Sequence, residues 1–361
     1  MRVLVVTDAW RPQINGVVRS IEALIAEAPR VGMQISLIAP DMFRTVPMPT
    51  YPEIRLSLTS ARSVARLIRE RAPDCIHIAT EGPLGMAARR ACRRNRWPFT
   101  TAYHTRFPEY VAKRKLAPAR LIYGLLRRFH AAAEATMVAT KALEDDLRSR
   151  GFPNLVRWTR GVDTNLFRPR GERARDRASP VFIYVGRVSI EKNIEHFLQL
   201  DLPGEKVVVG DGPERARLQQ AYPNVRFTGA LEGEALAQAY AAADVFVFPS
   251  RTDTFGLVLL EALASGLPVA AFPVMGPLDV IGDSGCGVLS EDLRAAAIAA
   301  LDIPSQRCVD YASRFSWETS MRQFAEAASI KLVSFENRDA QGNPPAMLTP
   351  ARLPSQAQAA E

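Results

Sequence analysis

The stretch from Asp244 to Ala271, DVFVFPSRTDTFGLVLLEALASGLPVAA, constrains the fold more than any other part of the chain. Val245 to Phe248 is a short apolar run, long enough for one fully buried strand. Pro249 and Ser250 stop it, and Arg251 to Thr254 form a polar turn. The pattern predicts a helix from about Phe255 and Gly256 through Ala264, stopped at Gly266 with Pro268 behind it. A second buried strand follows over 269–272. Strand, helix and strand with short links predict a right-handed crossover, with its loop and helix start at the carboxyl ends of a parallel sheet. Glu261 does not fit that pattern. It is a carboxylate in a helix apolar nearly all round, where an unpaired charge would cost several kcal/mol.

Two readings of Glu261 follow from the residues alone. In one, a neighbouring arginine or a backbone amide meets the carboxylate, and Asp253 caps the helix. In the other, the polar partner is a ligand. Asp253 and Glu261 stand eight residues apart, on the order of 12 Å along a helix axis, with the unpaired amides of the helix start between them. Such a start attracts phosphate. A ligand with hydroxyls at both ends and a diphosphate between them suits the spacing, and a nucleotide sugar is such a ligand.

The stretch resembles the donor-site signature of retaining glycosyltransferases of family 4, which have the GT-B fold. That signature has two glutamates separated by seven residues, then Ala and a Gly-Pro-Val turn. The resemblance implies that Glu261 holds the nucleotide ribose. It also implies that Asp253, one methylene shorter than the usual glutamate, contacts the donor sugar. Thr254, Phe255, Gly256 and Leu257 complete the expected donor-binding set at the helix start.

A chain of 361 residues suits two cores rather than one. Hydrophobic residues at 47% and charged residues at 23% fit an ordinary globular protein. No apolar run approaches the ~20 residues needed to span a bilayer. Met1 to Val6 runs straight into Thr7-Asp8 and is expected to be a strand rather than a signal peptide. Cys75, Cys92, Cys286 and Cys308 lack paired spacing, which fits free thiols in a reducing cytoplasm. The net charge of +8 is unevenly placed: twelve Lys or Arg and a single acid, Glu109, lie between Arg89 and Arg128. That density favours a phosphate-rich partner, nucleic acid or anionic lipid.

Along the chain, strands are expected at 3–6, 35–39, 75–78, 99–102, 135–139 and 156–158. The Pro-rich passage 40–52 is expected as a loop, and helices over 17–30, 61–71, 116–133 and 141–150. Asn15-Gly16-Val17 before the first helix matches the family loop that faces the donor phosphates. His104, at the end of the strand over 99–102, matches a histidine that touches the donor sugar. The hydrophilic stretch 168–179, with five arginines, separates two alternating strand-and-helix halves. The second half restarts with a strand over 181–185 that ends at Gly186-Arg187. The family pattern Gly-Arg…Glu-Lys falls on Gly186, Arg187, Glu191 and Lys192, which makes Arg187 and Lys192 the cations for the leaving diphosphate. Gly210 closes a strand over 206–209, and Leu231, after one over 225–228, lies where the family contacts the base. A last helix from Trp317 to about 335 is expected to cross back onto the first half, and 336–361, rich in Ala, Gln and Pro, is expected to be disordered.

The expected fold is therefore α/β, a GT-B pair of Rossmann-like domains over 1–168 and 169–316 that face each other across a cleft. The expected reaction is retaining transfer of a hexose from GDP-mannose or a UDP-sugar. With no Asp-x-Asp triplet in the sequence, no metal or other cofactor is expected. Thr7 to Pro12, Thr80 to Pro83 and Tyr103 to Thr105 are similar to members that glycosylate lipids, which points to a membrane lipid such as diacylglycerol as acceptor. The enzyme is then expected in the cytoplasm, peripheral on the inner face of the membrane. Assembly of a polysaccharide or lipopolysaccharide core is the alternative. A nucleic-acid-binding protein is a remote third, since the donor-site constellation would then have no purpose.

Overall fold

Short apolar runs bounded by Gly, Pro and polar turns make twelve strands in two parallel sheets. The computed structural model describes residues 1–333 except 14, 49–50, 105–107, 109–117 and 171–178, and describes no side chain over 51–53. The first half contains β1 (Arg2–Val6), β2 (Gln34–Ile38), a hairpin of β3 (Thr45–Met48) and β4 (Tyr51–Ser57), then β5 (Cys75–Ile78), β6 (Thr100–Tyr103), β7 (Thr136–Val138) and β8 (Leu155–Arg157). Its sheet runs in the order β2-β1-β5-β6-β7-β8. The second half contains β9 (Val181–Val185), β10 (Glu205–Val209), β11 (Arg226–Gly229), β12 (Val245–Phe248), β13 (Val269–Ala271) and β14 (Gly287–Leu289), in the order β11-β10-β9-β12-β13-β14. All pairings in both sheets are parallel. Helices cover both faces, so the central strands are buried on both sides and read as continuous apolar runs. Val3 to Val6 and Val245 to Val247 are wholly inaccessible.

The expected crossover is present. β12 leads through the helix Leu257–Ala264 into β13, which pairs with β12 in parallel. Each sheet reverses its strand order once, between β1 and β5 in the first half and between β9 and β12 in the second. Such switch points leave a crevice beyond the carboxyl ends of the strands.

Several expected boundaries move. The passage 40–52, read as a loop, contains a 3₁₀ turn, Pro40–Met42, and most of the β3–β4 hairpin. A two-stranded ribbon tolerates Pro47 because its outer edge needs no donor. The helix expected to reach 30 ends at Glu27, and Ala28–Val31 continues as a 3₁₀ turn. Pro29 supplies no N–H to prolong the α-helix. The helix expected over 116–133 spans Ala119–His130, with Pro118 at its N-cap. The last helix is shorter than expected, Trp317–Ala328. Beyond it the chain returns to the first half, where the Val333 N–H donates to the Asp74 carbonyl at 2.8 Å. That helix packs on the first half: Trp158 Nε1 donates to Ser320 Oγ at 3.0 Å, and the Thr159 N–H to Gln323 Oε1 at 2.8 Å. The arginine-rich stretch between the halves, for the most part, and the tail 336–361 lie outside the described residues.

The two halves touch at their strand ends. Thr254 Oγ1 donates to the His104 carbonyl at 2.7 Å, Arg19 reaches Glu261, and the Ala142 N–H donates to the Asp279 carboxylate at 3.2 Å.

Candidate active site

In the second half the loops after β9 and β12 flank the switch point and are tied to each other. Lys192, in the 3₁₀ turn Ile190–Lys192, forms an ion pair with the Asp253 carboxylate. Thr252 Oγ1 donates to the Glu191 carbonyl at 3.3 Å, and Asn193 Nδ2 to the Pro249 carbonyl at 3.1 Å. Asp253 therefore does not cap the helix, as one reading of the sequence had it. The helix Leu257–Ala264 starts from Gly256 with no side-chain cap. Gly256 has φ +83°, a left-handed conformation that side chains disfavour. The other Asp253 oxygen, Oδ2, is buried with no hydrogen-bond partner among the described residues.

Gly210 serves packing. A Cβ there would lie 1.8 Å from the Gly186 carbonyl oxygen, so the loops after β9 and β10 close on each other because residue 210 is glycine. Arg187 follows, half-buried, with its carbonyl accepting from Tyr184 Oη at 2.8 Å. Leu231, beyond β11, is partly buried against the second-half core. Phe255 is 7% exposed and belongs to that core, and Leu257 packs at its margin.

Glu261 has protein partners. Tyr240 Oη donates to Oε2 at 2.9 Å, and an Arg19 guanidinium nitrogen lies 3.7 Å from Oε1. Burial pushes the carboxyl pKa up, while Arg19 and the tyrosine hydrogen bond oppose the rise. The reading in which protein groups meet Glu261 thus holds for its contacts here, and the capping role given to Asp253 does not. Arg19 comes from the other half, on the helix Gly16–Glu27, one turn beyond Gly16. The sequence reading named neither Arg19 nor Tyr240. Arg19 carried a signal, since a residue three after the loop glycine shares its end of the helix. Tyr240 carried none.

The first half contributes the loop after β1 and the end of β6. Asn15 is the N-cap of the helix Gly16–Glu27, its Oδ1 accepting from the Val17 and Val18 N–H groups at 3.0 Å. A Cβ on Gly16 would sit 3.5 Å from Leu257 Cδ1, which brings this loop against the helix start of the second half. Asp8 accepts from Thr80 Oγ1 at 2.8 Å and from the N–H groups of Leu84 and Gly85 at 2.8 and 3.0 Å, capping the helix Pro83–Asn95. Glu81 turns to the buried His130, Oε1 to Nε2 at 3.1 Å.

His104 follows β6 at the contact between halves. Its Nδ1 lies 3.2 Å from Arg160 Nη2, and Nε2 is buried without a partner among the described residues. Burial, then the Arg160 charge, hold its pKa well below the usual histidine range. The structure therefore gathers Gly16, His104, Lys192, Asp253, Thr254, Gly256, Leu257 and Glu261 along one inter-half seam, with Gly186, Arg187 and Gly210 at the adjoining strand ends. Leu231 makes no described contact with that set.

This arrangement has counterparts. Residues 14–166 match the family described as Glycosyltransferase Family 4, and residues 179–303 match Glycosyl transferases group 1. A GDP-mannose-dependent alpha-mannosyltransferase of Mycobacterium tuberculosis is 35% identical, over 80% of this chain and 83% of its own. Sulfoquinovosyl transferase SQD2 of Arabidopsis thaliana is 35% identical over 66% of this chain and 50% of its own. Alpha-monoglucosyldiacylglycerol synthase of Streptococcus pneumoniae is 28% identical over 83% of this chain and 78% of its own. Among solved structures, Anabaena Alr3699/HepE in complex with UDP and glucose superposes with a TM-score of 0.68 at 16% identity, over 90% of this chain and 98% of that one. Two facing parallel α/β sheets, a donor-site signature across their seam and these relatives agree: the chain is a GT-B glycosyltransferase and belongs to glycosyltransferase family 4.

Proposed function

We propose that the enzyme moves a hexose from a nucleoside-diphosphate sugar, GDP-mannose or a UDP-sugar, to a membrane lipid such as diacylglycerol, with retention of the α-configuration and without a metal. The observation that carries the donor side is the joined pair of loops at the second switch point. They hold Lys192, with Arg187 nearby, beside an uncapped helix start, where charge developing on a departing diphosphate would be stabilised. Glu261 lies about a helix turn further on, where a ribose hydroxyl would displace or share its protein partners. Asp253, with one buried oxygen open, and His104 face the sugar end. No catalytic carboxylate pair of the glycosidase type is needed, because the bond broken is to phosphate. The absence of an Asp-x-Asp triplet supports charge stabilisation by Arg187, Lys192 and backbone amides.

The lipid acceptor is supported by the relatives, one of which is named for diacylglycerol, and by the helix Ala119–His130. Tyr123, Leu126 and Phe129 of that helix enter the core, as an ordinary amphipathic helix requires. Leu121 and Leu125, one turn apart, stay 63% and 61% exposed, beside the exposed Arg120, Arg127 and Arg128. Leucines among arginines on one surface suit an anionic lipid interface. Lys113, Arg114 and Lys115, part of the basic stretch between Arg89 and Arg128, lie outside the described residues. No helix among the described residues is long and apolar enough to cross a membrane; the contact proposed is peripheral, at the cytoplasmic face.

The test is release of GDP or UDP across a panel of donor sugars, with diacylglycerol in anionic vesicles or a soluble oligosaccharide as acceptor. Lipid-dependent release supports the proposal. Turnover only with the soluble saccharide moves the acceptor to polysaccharide or lipopolysaccharide-core assembly.

A further inference from the structure

Arg160 is 4% exposed, and no carboxylate among the described residues pairs with it. Its guanidinium stacks over Trp158, 3.8 Å from the ring centroid, and Nη1 donates to the Trp158 and Thr159 carbonyls at 2.7 and 3.1 Å. Nη2 faces His104 Nδ1. A guanidinium can only donate, so Nδ1 must accept, and a neutral imidazole then carries its proton on Nε2. That nitrogen is buried with no partner among the described residues, and buried polar groups ordinarily have one. The ring is fixed on its other sides: it packs edge-on against Trp158 with centroids 5.8 Å apart, and the His104 carbonyl is held by Thr254 of the opposite half. The charged and titratable groups that act on the imidazole are Arg160, His77 and His130. His77 is itself pushed down to about 3 by burial, and Arg160 only to about 9, so at neutral pH Arg160 supplies the positive charge.

We propose that Arg160 is a positioning residue that locks His104 as the Nε2–H tautomer and thereby presents a fixed N–H donor to an oxygen of the transferred sugar. The second part rests on the donor-site reading above; the tautomer does not. The experiment is long-range ¹H–¹⁵N correlation of ligand-free enzyme labelled at its four histidines, with His104 assigned by His104→Gln. The expected spectrum has Nε2 protonated, Nδ1 unprotonated and no titration between about pH 5.5 and 8. Arg160→Met should mix the tautomers, and Arg160→Lys, still able to donate to Nδ1, should restore the single tautomer. In turnover, Arg160→Met should lower kcat at least about tenfold with donor KM nearly unchanged. Arg160→Lys should recover most of that loss, and His104→Gln, which keeps an N–H, should outperform His104→Ala. A proton on Nδ1 in the wild type, or wild-type titration in the window, overturns the proposal even if Arg160→Met fails to fold. The expected tautomers with an unchanged kcat overturn the catalytic part. An enzyme that transfers no sugar would still report its tautomer, which separates failure here from failure of the functional reading.

Discussion

The two halves share one architecture and differ in how they treat most of their helix starts. In the first half, side chains close the helices that follow β1, β5 and β7: Asn15, Asp8 and Thr140 accept their leading N–H groups. The first-half helix Ala119–His130 has no such cap. In the second half, the helices after β9, β10, β11, β12 and β13 begin with no side-chain cap, whereas the one directly after β14 has one, from Asp292. Orphan amides at a helix start are stabilised by an anion or left to water. The first half thus completes most of its own helix starts, while the second leaves most of its own without a side-chain cap and carries the cations Arg187 and Lys192. The first half's polar loop residues mostly build scaffold. Arg19 and His104 are its exceptions, and both reach the second half directly.

If this difference reflects donor binding by the second half, its cations should matter most. Lys192→Ala should lower kcat by about two orders of magnitude or more, as lost stabilisation of developing charge does. Steady-state turnover beside a melting curve checks it, and an effect confined to the melt would put Lys192 in the scaffold.

The first half should in turn own the membrane contact. Full burial of a leucine contributes about 1.5–3 kcal/mol, so Leu121→Ser with Leu125→Ser should weaken partitioning to anionic vesicles by at least about tenfold and leave diphosphate affinity intact. Sedimentation with anionic and neutral vesicles reads this. Equal binding of the variant and the wild type would remove the helix from the interface.

Glu261 joins the halves and separates affinity from stability. Glu261→Gln should weaken nucleoside-diphosphate binding roughly tenfold in calorimetric titration, the scale of one lost charged hydrogen bond. Its effect on stability has a defined sign. Burial raises the carboxyl pKa in the folded chain above the ordinary value of 4.5. The group therefore favours folding fully below pH 4.5, and that contribution is lost as pH rises through the folded value. The melting temperature of Glu261→Gln relative to wild type should accordingly climb across that range. A relative fall would mean that Arg19 outweighs desolvation. The smallest expected effect is that of chelation: excess EDTA should leave turnover unchanged, and loss restored by magnesium would show that protein cations do not suffice.

The sequence by itself determined the crossover from β12 to β13, the alternation that builds two parallel sheets, and the family. Each depends on local facts: apolar runs of strand length, glycines where chains close, and acids and cations at fixed spacing. Even its failures were local, since the β3–β4 hairpin hid in a Pro-rich passage because an edge ribbon tolerates proline. Tertiary structure alone decided what meets what. Glu261 demanded a partner, and although Arg19 stands one turn after the loop glycine, nothing in the sequence pairs it or Tyr240 with Glu261, because they come from distant segments of two halves. Asp253 pairs with Lys192, 61 residues away in sequence, because β9 and β12 are neighbours in the sheet. Arg160 looked like one more arginine in a basic chain. Its burial against Trp158 and its hold on His104 exist only once β6 and β8 lie in one sheet and the last helix seals Trp158 from water.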